Sequence, residues 1–132
     1  MAERTMHIPS GSVPPELACP ITPVVELIFS RWTTAILWTL HRDGPHRFTE
    51  LESHIATITP KVLTERLRAL ERDGLITRTY HPEVPPRVVY DITDLGRSLS
   101  PIFAALANWS DNLSDVERAR RSFDAKRKRK RR

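Results

Sequence analysis

The sixteen residues Thr59–Gly74, TPKVLTERLRALERDG, decide how the chain is read. Thr59 is a good helix N-cap, Pro60 suits the first helical position and Gly74 closes the helix. Val62, Leu63, Leu67, Ala69 and Leu70 are the apolar set. Lys61, Thr64, Glu65, Arg68 and Arg72 recur at i, i+3, i+4, i+7 and i+11. One helix over Pro60–Asp73 therefore carries one face to bury and one exposed, polar, basic-leaning face.

Upstream, Phe48, Leu51, Glu52 and Ile55 predict a short helix, with Thr49 as N-cap and Glu52 as its capping-box partner. Arg31–His41 repeats the helical pattern through Trp32, Ala35, Ile36, Leu37, Trp38 and Leu40, and Asp43-Gly44-Pro45 stops it. Val24, Val25, Leu27, Ile28 and Phe29, entered through Pro20 and Pro23, predict a short helix buried on most of its surface. Downstream the period changes. Leu75–Tyr80 and Arg87–Ile92 read as a hairpin whose tip is stiffened by Pro82, Pro85 and Pro86. Thr93 caps a further helix, with Leu95, Leu99, Ile102, Phe103, Leu106 and Trp109 as apolar positions and with Gly96 and Pro101 interrupting or bending it. Trp32, Trp38 and Trp109 fall on apolar faces and suit core or dimer packing better than a ligand cage.

The chain of 132 residues and 15.2 kDa is one domain with tails. The expected divisions are a flexible leader over 1–17, a domain over 18–112, a polar, weakly helical segment over 113–125 and a disordered basic tail over 126–132. The net charge of +5 is local. Lys126, Arg127, Lys128, Arg129, Lys130, Arg131 and Arg132 are all cationic, and without them 14 basic and 16 acidic residues leave 1–125 at −2. Such a block repels itself and is free to lie on an anionic surface. The folded part needs some other argument for binding nucleic acid.

No apolar run approaches the roughly 18 residues of a membrane span, and Met1–Val13 has no stretch suited to a signal peptide. A soluble, cytoplasmic protein is expected. The lone Cys19 excludes an internal disulfide framework and a cysteine-cluster zinc site. His7, His41, His46, His54 and His81 show no metal-ligand spacing, so neither metal nor cofactor is expected. With 4 glycines and no motif joining Cys19 to a histidine and a carboxylate, the sequence argues against an enzyme.

A short helix, a tight turn and a longer helix with a polar outer face make a helix-turn-helix, and the hairpin after it makes a wing. The second helix can enter a major groove. Thr59 can cap and meet a phosphate, and Pro60 begins the reading helix. Lys61 and Arg68 offer cations to phosphates or guanine edges, and Thr64 can meet a thymine methyl. Glu65 can accept from a cytosine amine, or form an ion pair with Lys61 or Arg68. Arg87 can enter a narrow minor groove, with His81 and Arg78 beside it on the hairpin. The bland alternative is a solvated helix face and a strand-start arginine in water.

From Cys19 to about Trp109 the sequence resembles the HxlR-type winged helix-turn-helix transcriptional regulators of prokaryotes. Cys19-Pro20 is similar to that family's cysteine-proline opening, and Arg31-Trp32, Ile36-Leu37 and Leu40 to its "KW…IL..L" helix. Asp43-Gly44-Pro45, Arg47-Phe48 and Glu50-Leu51 match "GP.RF.EL". Leu63-Thr64, Leu67, Leu70 and Asp73-Gly74-Leu75-Ile76 resemble "LT..L..LE.DGL". Pro82–Val88 with Tyr90 is close to the wing motif "PEVPPRVEY", and Thr93, Leu95 and Gly96 complete "LT.LG". Two features depart from the pattern: Pro60 stands where a polar residue is usual, which bears on a base contact there, and the basic tail is not a family feature.

The resemblance implies a homodimer, joined through its terminal helices, on an inverted-repeat operator in double-stranded DNA. It also makes Cys19 a candidate sensor of oxidants or electrophiles, against the alternative of a small buried residue. Two other readings stand beside it. One is an architectural, nucleoid-type protein dominated by the tail; the other is a winged domain used for protein–protein contact. Salt dependence and sequence preference separate them.

Overall fold

One face of the helix Arg31–Asp43, one of the helix Pro60–Arg72 and one of the sheet meet in a single core. The computed structural model describes residues 19–131, so the leader over 1–17, Ala18 and Arg132 lie outside the described residues. In chain order it runs α1 (Thr22–Ile28), α2 (Arg31–Asp43), β1 (His46–Arg47), α3 (Phe48–His54), α4 (Pro60–Arg72), β2 (Ile76–His81), β3 (Arg87–Ile92), α5 (Asp94–Arg97), α6 (Ser100–Trp109), a 3-10 turn (Ser110–Asn112) and α7 (Leu113–Lys130). The protein is mainly helical with a small antiparallel sheet, a winged helix-turn-helix. Ile36, Leu37 and Leu40 of α2, Leu51 of α3, Leu63, Leu67 and Leu70 of α4, Ile76, Tyr90, Ile92 and Phe103 share one buried cluster. Among the described residues, no helix is long and apolar enough to cross a membrane.

Local chemistry sets the helix ends. Ser30 Oγ accepts from the Thr33 amide at 3.2 Å to start α2. Gly44, at φ +84°, ends it by donating its amide to the Leu40 carbonyl at 3.1 Å. Thr59 Oγ1 accepts from the Val62 amide at 3.2 Å to start α4. At α3 the cap differs from the expectation: Arg47, not Thr49, occupies the N-cap position, and its amide donates to Glu50 Oε1 at 2.9 Å. The helix begins earlier than predicted because Phe48 enters it directly from β1.

That strand is the element the sequence conceals. His46 pairs with Tyr90 and Arg47 with Val89, which puts β3 at the centre of a sheet ordered β1-β3-β2. A two-residue strand has no periodicity to read. The hairpin itself runs from Ile76 opposite Ile92 to His81 opposite Arg87.

Two other expectations are corrected. Only Ile28 of α1 is buried; Val24, Val25, Leu27 and the following Phe29 are exposed, because nothing among the described residues covers their side of the helix. At the C-terminus a single helix, α7, continues through Lys126–Lys130, where the charge block predicts disorder. Lysine, arginine and alanine are strong helix formers, and cations in the last turn complement the carbonyl end of the helix dipole. Those preferences outweigh like-charge repulsion here. α7 buries none of its residues.

Gly96 locks the wing to the body. It is buried in α5, and a Cβ there would collide with the Leu75 carbonyl oxygen and the Ile92 side chain. Thr93 completes the joint: its amide donates to the Leu75 carbonyl at 3.0 Å, and its hydroxyl donates to the Gly74 carbonyl at 2.7 Å. Gly96→Ala is expected to destabilise the fold by about 1–3 kcal/mol, the usual cost of overpacking, read as a lower midpoint in urea unfolding. Gly44→Ala provides contrast. It meets no neighbour within 4 Å and carries only the cost of positive φ.

Candidate nucleic-acid interface

α4 has the two faces its sequence implies. Leu63, Leu67 and Leu70 are at most 2% exposed, while Lys61, Glu65, Arg68 and Arg72 stand in solvent. Thr64 is half-buried, and its hydroxyl donates to the Pro60 carbonyl at 2.8 Å. Its proton is thereby committed, and its methyl is the part left for an apolar contact. Lys61, Glu65 and Arg68 form no ion pair with one another, so the helix-face pairing considered for Glu65 is absent from this conformation.

The N-terminus of α4 is a reduced anion site. Pro60 has no amide proton, and the Val62 amide is occupied by Thr59 Oγ1. The Lys61 amide and the exposed Thr59 hydroxyl proton are what remain to meet a phosphate. The turn leading into α4 is tight. Thr57 takes φ +70°, costly for a β-branched residue, and Arg31 reaches its Oγ1 at 3.4 Å. Ile55 and Ile58 are buried on either side, which fixes the angle between α3 and α4.

Between α4 and the sheet lies a cleft of about 450 Å³ lined by Phe48, Thr64, Leu67, Arg68, Glu71, Arg78 and Tyr90. Arg78 on β2 thus faces the same space as Arg68 on α4. The hairpin sequence alone gives no sign of that approach. The register of β2 against β3, which sets Arg78 opposite Tyr90, is what brings it there.

The wing differs from the sequence expectation in one respect. Arg87 is not a free cation: its side chain is 32% exposed and pairs with Glu83 Oε1 at 3.0 Å. The turn that allows this has the Glu83 amide donating to the His81 carbonyl at 2.8 Å. The Arg87 guanidinium, first by hydrogen bond and then by charge, holds the Glu83 carboxyl below the ordinary value. That contact engages one nitrogen of the guanidinium and holds the side chain beside Glu83. His81 is half-buried opposite Arg87.

Away from this face, Cys19 is exposed just before α1. A side-chain hydrogen bond from Thr22 leads the causes that lower its thiol pKa, with the Ile21 and Thr22 backbone helping against a small burial penalty. Lys126, Arg127, Lys128, Arg129, Lys130 and Arg131 are exposed along the end of α7. Neither Cys19 nor this basic stretch lines the cleft between α4 and the sheet.

Comparison with known proteins places this geometry. Residues 27–118 match a family described as HxlR-like helix-turn-helix. The uncharacterized HTH-type transcriptional regulator YtfH of Escherichia coli (strain K12) is 43% identical over 99 residues, 74% of this chain and 78% of that protein. The structure of the redox regulator HypR in its reduced form aligns with a TM-score of 0.70 at 33% identity, covering 76% of this chain and 99% of the other. The reduced form of the transcriptional regulator YodB from B. subtilis aligns at 0.64 and 36% identity, covering 71% and 92%.

The Glu83–Arg87 pair predicts a pH response. Because the Glu83 carboxyl is lowered, the pair is intact above the ordinary carboxylate value and opens as pH falls through the lowered one. The Arg87 side-chain NMR signal is expected to titrate with Glu83 on the acid side of an unperturbed glutamate. In Glu83→Gln that transition should vanish.

Proposed function

Because the chain belongs to the HxlR-like helix-turn-helix family, we propose that it is a DNA-binding transcriptional regulator acting as a homodimer on an inverted-repeat operator. The family is one of regulators, not of enzymes. The observation that carries the reading is the outer face of α4, where Lys61, Glu65 and Arg68 stand clear of the core and Arg68 shares a cleft with Arg78 of the hairpin. In this reading Lys61, Thr64, Glu65 and Arg68 meet base edges in the major groove. Thr59, the Lys61 amide and Arg78 meet phosphates, and Arg87 exchanges Glu83 for the flanking groove near His81. Pro60 contributes its fixed backbone angle and no donor. The regulator works in the cytoplasm, where the chromosome is.

Dimerisation is supported by apolar side chains that the described residues leave uncovered. At α1 these are Val24, Val25, Leu27 and Phe29; near the C-terminus they are Leu106, Trp109, Leu113 and Phe123. Trp109 is 55% exposed, which is costly for a large apolar side chain unless a second copy covers it. The basic stretch Lys126–Arg132 adds sequence-independent affinity by releasing counterions from DNA. Cys19 is the sensor. Its thiolate, favoured by the Thr22 hydrogen bond, attacks a peroxide oxygen; two electrons pass from sulfur to the O–O bond, leaving a sulfenic acid and hydroxide.

Fluorescence anisotropy on DNA from upstream of the chain's own gene, against a shuffled control at two salt concentrations, tests the reading. Lys61→Ala and Arg68→Ala are expected to weaken binding to the upstream DNA by about 1–3 kcal/mol each where they contact a base. Truncation after Ala125 should keep the preference and lower the salt slope, by up to about 0.9 for each phosphate the tail had neutralised. If the preference vanishes with the tail, the architectural reading replaces this one. Peroxide should change the affinity of the native protein and leave Cys19→Ser unaffected.

A further inference from the structure

Asp43, His46 and His54 come from three elements: the last residue of α2, the first of β1 and the last of α3. The spacing, two residues and then seven, gives no familiar metal pattern, and the sequence treats the histidines as scattered. The fold closes the gap. One donor atom from each of the three lies within 4.8 Å of the other two.

Both imidazoles are held in the form a metal requires. His46 Nδ1 lies 2.7 Å from the Gly44 carbonyl oxygen, and His54 Nδ1 lies 2.8 Å from the Glu50 carbonyl oxygen. A carbonyl only accepts, so each Nδ1 carries the proton and donates it. In the neutral ring this tautomer leaves the Nε2 lone pair for a ligand, with an outer acceptor fixing the ring, as in most histidine metal ligands. The rings meet edge to face, with centroids 5.0 Å apart and planes at 86°. His46 is 7% exposed and so is anchored, while Asp43 and His54 stand at the surface beside it.

Asp43 supplies negative charge. Arg42 donates to its two oxygens at 3.0 and 3.2 Å. Arg42 is itself 64% exposed, and each carboxylate oxygen retains a further lone pair. An ion can thus share Asp43 without stripping a buried partner.

We propose that Asp43, His46 and His54 bind a divalent transition-metal ion of the Zn²⁺ type, through one carboxylate oxygen and the two Nε2 atoms, with water in the fourth position. Two nitrogens and one oxygen suit zinc, cobalt or nickel; calcium and magnesium call for all-oxygen sets. Bond lengths of about 2.0–2.2 Å require the three donors to draw together, a movement the two exposed side chains can supply. The ion would pin the end of α2 to β1 and to α3, the helix that leads into α4.

Titration of the full-length protein with Co²⁺, followed by Zn²⁺ competition, tests the site. One ion per chain is expected, with visible absorption of a low-coordinate cobalt centre that Zn²⁺ abolishes. His54→Ala, at an exposed position where the fold should hold by circular dichroism, is expected to weaken binding by at least the roughly 10- to 100-fold that even an outer partner is worth. Asp43→Asn should weaken it as well, and His7→Gln should leave it unchanged. No stoichiometric ion, or an ion that His54→Ala binds as tightly as the native chain, overturns the proposal.

Discussion

The burial of three leucines on one side of α4 is the constraint on which the rest depends. Leu63, Leu67 and Leu70 are removed from water in a cluster shared with Ile36, Leu37 and Leu40 of α2. Each fully buried leucine contributes about 1.5–3 kcal/mol, against a typical total stability of about 5–15 kcal/mol for a domain. The helix therefore has one rotational setting. With about 100° between successive residues, that setting also fixes where Lys61, Glu65 and Arg68 stand. The outer face is presented by what the inner face buries.

The same logic governs the wing. β3 lies between β1, from before the helix-turn-helix, and β2, from after it. The hairpin is thus anchored to both sides of α3 and α4. Gly96 and Thr93 close its base against Leu75 and Gly74, so the tip alone extends freely. Glu83 and Arg87 sit at that tip, and the wing's cation is held by a carboxylate of its own loop.

Much of this was legible in the sequence because it is written in local chemistry. The caps at Thr59 and Thr93, the stop at Gly44 and the two-faced period of α4 each follow from a few adjacent residues. What escaped depends on groups far apart or absent. β1 exists only because β3 is there to pair with His46 and Arg47. The Glu83–Arg87 pair needs the turn at His81, since residues four apart in an extended segment do not meet. The exposed side of α1 looked like a core face because its residues are apolar, and sequence does not say whether the cover comes from the same chain. Arg78, and the trio Asp43, His46 and His54, are brought together by tertiary register alone.

The separation of faces on α4 also shapes how descendants of this chain can drift apart. Lys61, Glu65, Arg68 and Arg72 stand outside the core cluster, and exchanges at such surface positions usually change stability by no more than about 0.5 kcal/mol. Leu63, Leu67 and Leu70 have no such freedom, for truncating one costs about 2–5 kcal/mol. Substitutions can therefore accumulate on the outer face of α4, in almost any order, without passing through an unfolded ancestor. The inner half of the helix is inherited and the outer half is negotiable.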